Sequence, residues 1–100
     1  MTLENNDLKK KISVILKHFT VKNYDKVIEE ANRLLKKKPN LDILWNVLGL
    51  TYQQKGNLQK AEENLFRCLQ ANPNNISAIN NIGNNYKYLF NYKKAVEYFE

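Results

Sequence analysis

The sequence predicts an all-α fold, an α-solenoid made of antiparallel helical hairpins. The chain repeats itself every 34 residues, and apolar residues recur at helical spacing inside each repeat. Only 3 Gly and 2 Pro occur in 100 residues, which leaves little room for the tight turns of a many-stranded sheet. With 43% apolar and 26% charged residues the chain is globular, so we expect one domain of stacked helix pairs.

The 34-residue step brings the same residue types back to the same positions. It aligns Asn23 with Asn57 and Asn91, Pro39 with Pro73, Gly49 with Gly83, Tyr52 with Tyr86, and Ala61 with Ala95. A fixed period of this length is typical of helical repeat arrays. The repeats run over residues 8–41, 42–75 and 76–100; we expect the second to be complete and the third to be truncated.

The second repeat contains both helices of one hairpin. Apolar residues at helical spacing over 44–52 predict the first helix, and Lys55-Gly56 predicts its end. Asn57 then offers an N-cap oxygen to the second helix, which should end before Pro73.

The third repeat begins the same pattern. Its first helix is predicted from Ile79, Ile82, Tyr86 and Leu89, and its second helix should begin with Tyr92, Ala95, Val96 and Phe99. Phe90 stands where the second repeat has the turn residue Gly56. We therefore expect a hairpin whose turn carries some left-handed strain at Phe90, unless Asn91 takes up that conformation.

The first repeat is degenerate. Ile15 stands where the other repeats have Gly, Val27 replaces the small Ala, and Lys22 lies at the turn. We expect this hairpin to be splayed or to act as a terminal cap.

Gly49 and Gly83 lie inside predicted helices, where Gly costs about 1 kcal/mol relative to Ala. Their return at the same position suggests that two helix backbones approach closely there. Ala61 and Ala95 would supply the small residue on the facing helix.

The spacing of these residues resembles that of the tetratricopeptide repeat family. The second repeat carries the resemblance at Trp45, Leu48-Gly49, Tyr52, Gly56, Ala61 and Pro73, and the third at Ile82-Gly83, Tyr86, Ala95 and Phe99. The resemblance implies a right-handed α-solenoid whose first helices line a concave groove that binds a peptide or a segment of a partner protein.

The residues expected to face this groove are those left on each first helix once the packing residues are assigned. They are Lys9, Ile12, Leu16 and Phe19 in the first repeat, Ile43, Asn46, Leu50 and Gln53 in the second, and Ser77, Asn80, Asn84 and Lys87 in the third, with Asn81 and Tyr88 at the margins. Because a carboxamide donates and accepts hydrogen bonds, a row of Asn can hold the main chain of an extended peptide.

The run 80–85 also resembles the asparagine-bearing repeats of protein O-linked N-acetylglucosamine transferases, in which Asn81 and Asn84 would be the ladder residues. The competing explanation is composition, because Asn occurs 16 times in the chain.

Catalysis and metal binding find little support. One Cys and one His cannot build a zinc site, and no nucleophile has a base at a suitable spacing. Cys68 falls on the packing face of its helix and is expected to be structural. We predict no enzymatic activity, no metal and no cofactor. The alternative is that these repeats recruit substrate to a transferase-type enzyme encoded after residue 100.

The net charge of +6 lies mostly in the first third, where residues 1–38 hold ten Lys/Arg against five Asp/Glu. Nucleic-acid binding by this basic hairpin, with Phe19 or Tyr24 stacking on bases, is a less favoured alternative. The two-carboxylate clamp of cochaperones is also disfavoured, since Ile12 and Leu16, then Ser77 and Asn81, fill its positions. A protein or peptide partner is expected.

The sequence shows neither a secretory signal nor a bilayer-spanning stretch, so we expect a cytoplasmic protein without membrane contact. The third repeat stops at Glu100 inside a predicted helix. We therefore expect the array to continue in a longer protein, and self-association through this open repeat is a further expectation.

Overall fold

The computed structural model describes the backbone of residues 3–99 and the side chains of residues 5–94, 96 and 97. Five helices follow one another along the chain: α1 (Leu3–Thr20), α2 (Tyr24–Lys37), α3 (Asp42–Gln54), α4 (Leu58–Ala71) and α5 (Ile76–Phe99). Over residues 3–99 there is no strand. The prediction of an all-α fold is confirmed.

The helices form two layers of a solenoid. α1, α3 and α5 contact one another in sequence order, while α2 packs on α1 and α3, and α4 packs on α3 and α5. The described chain is elongated, with extents of 58 × 28 × 19 Å. This arrangement follows from the repeat, because each added hairpin buries its apolar face on the one before it.

The core lies between the layers. α2 is amphipathic and buries Val27, Ala31, Leu34 and Leu35 against α1 and α3. A second cluster joins Leu65 and Cys68 of α4 to Ala78 of α5, and Trp45 packs against both clusters. Full burial of each large aliphatic side chain stabilises the fold by about 1.5–3 kcal/mol, so the stack holds together through a continuous apolar seam.

The close approach expected at Gly49 is present. A Cβ added to Gly49 would lie 2.6 Å from Cγ and Cδ2 of Leu65 and 3.4 Å from the carbonyl oxygen of Ala61. Ala61 and Leu65 are fully buried, so neither neighbour has free space into which to move. Gly at this position is therefore required by the packing of α3 on α4.

The turns within the first two hairpins use a left-handed residue. Gly56 has φ +82° and Lys22, at the equivalent position of the first hairpin, has φ 63°. Lys22 carries the strain of a side chain in this region. α1 and α2 pack less closely together than α3 and α4 do, as expected for a degenerate first repeat with Ile15 and Val27 at its joint.

The prediction of a third hairpin is wrong. α5 is one continuous helix over Ile76–Phe99, and no turn occurs at Phe90 or Asn91. A turn would place Phe90 in the left-handed region, which costs about 1 kcal/mol or more, whereas continuing the helix keeps every backbone hydrogen bond.

The prediction of a close approach at Gly83 is also wrong, because the third hairpin does not form. A Cβ added to Gly83 would meet nothing within 4 Å. Its expected partner, a second helix containing Ala95, does not fold back in the described backbone. The Ala95 side chain itself lies outside the described residues.

Candidate peptide-binding groove

The candidate groove is the face of α1, α3 and α5 that points away from α2 and α4. In α3 the face turned toward the second layer holds Leu44 and Leu48, both fully buried. The opposite face carries Ile43, which is 41% exposed, and the half-buried Leu50. Helical periodicity thus separates packing residues from groove residues along α3.

Asn46, Ser77 and Asn81 form a hydrogen-bonded cluster that joins α3 to α5. The Asn46 Nδ2 donates to Ser77 Oγ at 3.0 Å, and the Asn81 Nδ2 donates to Asn46 Oδ1 at 3.0 Å. Asn81 Nδ2 also lies 3.5 Å from Ser77 Oγ. These three predicted groove residues are therefore brought together, but they bind one another and so hold two neighbouring first helices at a fixed spacing.

Gln53 adds a second tie between the same helices. Its Nε2 donates to the main-chain oxygen of Asn81 at 3.0 Å, about two turns further along α3 than Asn46. Asn46 and Gln53 lie on the side of α3 that faces α5, at the edge of the open surface. The sequence placed them correctly near the groove but could not show that they bridge repeats.

Asn80, Asn84 and Lys87 stay exposed on α5. Asn80 and Lys87 occupy, one repeat later, the positions from which Asn46 and Gln53 reach the next first helix. Among the described residues, neither the Asn80 side chain nor the Asn84 side chain has a hydrogen-bond partner. Their carboxamides therefore keep full donor and acceptor capacity for another molecule.

The groove residues predicted on α1 are divided between surface and core. Lys9 is exposed, whereas Ile12 and Leu16 are half-buried and pack against the core cluster between α1, α2 and α3. The apolar end of the predicted groove thus contributes mainly to packing.

A polar junction between the start of α3 and the loop that leads into α5 was not foreseen from the sequence. Asn72 and Asn75 both donate through Nδ2 to Asp42 Oδ2, at 3.0 and 2.9 Å. Asn75 Oδ1 in turn accepts from the Ala78 N–H and caps α5. The hydrogen bond from Asn72, reinforced by that from Asn75, holds the pKa of the Asp42 carboxyl below its usual value of 3.8. Only the Asn75 cap had a sequence signature, an Asn immediately before an apolar helical run.

Asn85 is a second buried polar residue that the sequence did not single out. Its side chain is 1% exposed and its Nδ2 donates to the Leu58 main-chain oxygen at 2.9 Å. Thr51, one repeat earlier, is fully buried in the same way. The 34-residue alignment of these two polar positions is the clue that could have revealed the burial.

Cys68, the residue most able to react, belongs to the packed core. Cys68 is fully buried, and burial raises the pKa of its thiol to about 11, so it stays protonated at neutral pH. Among the described side chains, no three of the His, Cys, Asp and Glu residues gather in a way that could hold a metal ion. Within residues 3–99, no helix has both the length and the apolar character needed to cross a bilayer.

The aromatic residues of the basic hairpin face each other. The rings of Phe19 and Tyr24 lie with centroids 5.8 Å apart at 55°, and both side chains are half-buried. Phe19 also packs against the core. Part of each ring surface that a stacked base would need is thus already in contact with protein.

Two segments of the chain match known family models. Residues 43–75 match a model described as tetratricopeptide repeat, and residues 76–100 match a second model of the same description. No curated protein matches the chain. Both matches are to the repeat in general, so the resemblance of residues 80–85 to transferase repeats stays a prediction.

Proposed function

Because the chain belongs to the tetratricopeptide repeat family, whose repeats generally mediate protein–protein interaction, we propose that it binds an extended segment of a partner protein along α3 and α5. The site consists of the exposed carboxamides Asn80 and Asn84, the bridging residues Asn46 and Asn81, and the apolar residues beside them.

The observation that carries this proposal is the pair of exposed carboxamides next to a pre-ordered polar cluster. Asn80 and Asn84 are one helical turn apart on α5, so they lie on one face of the helix. An extended peptide presents alternating N–H and C=O groups, and each carboxamide can pair with both. The peptide would therefore be held mainly through its main chain.

Apolar side chains beside the carboxamides supply a second, side-chain-dependent contribution. Ile43 and Tyr88 are 41% and 50% exposed, and Leu50 is half-buried. Burying such groups under a ligand is favourable at roughly 25 cal/mol per Å² of apolar surface. A peptide with one or two bulky apolar side chains suits this surface better than a highly charged one.

The bonds from Asn46 and Gln53 to α5 support the proposal in another way. They fix the distance between the two helices before any ligand binds. The ordering cost of binding then falls on the peptide alone, which favours affinity.

The test starts from a random peptide library displayed on phage and selected against the full chain. Selected peptides are titrated into ¹⁵N-labelled protein, and amide shift changes are mapped. We expect changes to concentrate in residues 43–53 and 77–88. We also expect the double variant N80A/N84A to bind about tenfold more weakly, since each lost hydrogen bond contributes about 0.5–1.5 kcal/mol.

The matched control is Asn32→Ala, which removes an exposed carboxamide from α2, outside the groove. It should leave peptide affinity unchanged. Both variants should unfold at nearly the wild-type temperature, because the substituted side chains are exposed and Ala favours helix. The proposal fails if selected peptides shift amides of α2 and α4 instead, or if N32A weakens binding as much as N80A/N84A.

A further inference from the structure

α5 carries an apolar stripe that the described residues cover only in part, since Lys94 lies 5.6 Å from the centroid of the Phe90 ring and Tyr86 makes a side-chain hydrogen bond with Glu62. Ile76, Ile79, Gly83, Tyr86 and Phe90 follow one another at spacings of three, four, three and four residues, which places them on one side of the helix. The four side chains are 71%, 49%, 49% and 60% exposed. A contiguous exposed patch of this kind marks an interaction surface.

The second repeat shows what normally covers this stripe. One repeat earlier, the positions of Ile79, Gly83 and Tyr86 are Trp45, Gly49 and Tyr52, and α4 lies over all three. Leu65 abuts Gly49, while Arg67 lies 5.2 Å from the centroid of the Trp45 ring system and Lys60 5.4 Å from that of the Tyr52 ring. The stripe on α5 therefore continues the surface that joins α3 to α4.

α5 cannot cover its own stripe. Tyr92 lies two residues after Phe90 and so about 200° further around the helix axis at 100° per residue. It is 68% exposed on another side of the same helix. Because α5 continues without a turn to Phe99, its described backbone does not return over the stripe.

We propose that a second molecule of this protein covers the stripe, with two α5 helices packed antiparallel about a two-fold axis at Gly83. The stripe has the symmetry that such a pair requires, because Gly83 stands seven residues from Ile76 and seven from Phe90. The two-fold axis places Phe90 opposite Ile76 of the second molecule and brings Tyr86 close to its Ile79. Large residues thus meet smaller ones along about 21 Å of helix.

Gly83 makes the close crossing possible. A Cβ there would meet nothing within 4 Å inside the chain, so the small residue is not required by the molecule's own packing. Two glycines facing each other allow the helix backbones to approach closely. The arrangement also avoids like charges, since Lys87, beside the stripe, lies opposite Ile79 and Asn80 of the second molecule.

Sedimentation equilibrium of the full chain at tens of micromolar tests the proposal. We expect a monomer–dimer equilibrium, and we expect Ile79→Glu to raise the dissociation constant roughly tenfold or more because it buries a charge in the interface. The control is Tyr88→Glu, which replaces an equally exposed apolar residue of α5, 50% exposed against 49%, on the groove side. It should change the constant by less than about twofold.

Cysteine cross-linking tests the register. Under mild oxidation, Gly83→Cys should form a disulfide-linked dimer rapidly, because the axis brings the two residues together, whereas Asn84→Cys on the adjacent face should not. The native Cys68 is fully buried and does not compete. A monomeric wild type, a dimer that survives I79E, or cross-linking that is equal at positions 83 and 84 would each overturn the proposal. A monomer that binds selected peptides would leave the proposed groove intact and assign the stripe to another occupant.

Discussion

Two glycines in equivalent positions of successive repeats have different surroundings. Gly49 faces Leu65 at a distance that excludes any side chain, while Gly83 faces open space. The difference arises because α4 folds back on α3, whereas α5 continues past the equivalent turn position. At the residue scale, the requirement for Gly is therefore set by the neighbouring helix and not by the position in the repeat.

This contrast predicts opposite effects of one substitution. Gly49→Ala should destabilise the protein by about 1–3 kcal/mol, because its Cβ would overlap the buried Leu65 side chain. Gly83→Ala should stabilise the monomer, at protein concentrations too low for dimers, by about 0.5–1 kcal/mol, since Ala costs less backbone entropy in a helix. Urea unfolding followed by circular dichroism measures both. A neutral G49A would contradict the close packing of α3 on α4.

The N-termini of the second helices, α2 and α4, are capped differently in the two repeats. Asn57 Oδ1 accepts a hydrogen bond from the Lys60 N–H at 3.1 Å and caps α4. Asn23, at the same position before α2, makes no side-chain capping bond although its backbone angles are similar. At the element scale, the same residue type stabilises one helix start and not the other.

A pair of cap substitutions checks this difference. Asn57→Ala should lower the free energy of unfolding by about 1 kcal/mol, the usual value of an N-cap. Asn23→Ala serves as the control and should cost clearly less, because no capping bond is lost. Equal losses in urea unfolding at neutral pH would show that both caps form in solution.

At the scale of the whole molecule, hydrogen bonds of Asp42 hold the two ends of the second repeat together. This carboxylate, at the start of α3, accepts from Asn72 and Asn75 in the loop between α4 and α5. The bonds from Asn46 and Gln53 join the second repeat to the third on the groove side. The loop that leads into α5 and the groove face of α5 are therefore both held to α3.

The Asp42 junction predicts a pH dependence. Because the pKa of the folded Asp42 lies below its usual value of 3.8, the ionised form stabilises the fold fully above that value, and this contribution is lost as the pH falls through the lowered pKa. Asp42→Asn should therefore be less stable than wild type at pH 7, with the gap closing toward pH 2.

Asp25→Asn is the control for losing one carboxylate, since Asp25 is 90% exposed and pairs with Lys55 on the surface. Urea unfolding of the three proteins across this pH range provides the measurement. A stability gap between D42N and wild type that stays constant down to pH 2 would contradict the role of the charged form.

The sequence by itself determined the repeat, the first four helices and the cap at Asn57. These features depend on local periodicity and on residues whose conformational preferences hold wherever they occur. It also selected Asn80 and Asn84, which lie exposed on α5.

Only the tertiary structure decided which polar residues bridge repeats and whether the third hairpin closes. Asn46, Gln53 and Asn81 have the same donors and acceptors whether they face a ligand or a neighbouring helix, so helical spacing cannot distinguish the two. The course of the chain at Phe90 depends on a balance between turn strain and the apolar surface that a returning helix would bury. That balance is a sum over distant contacts, which a local sequence pattern does not contain.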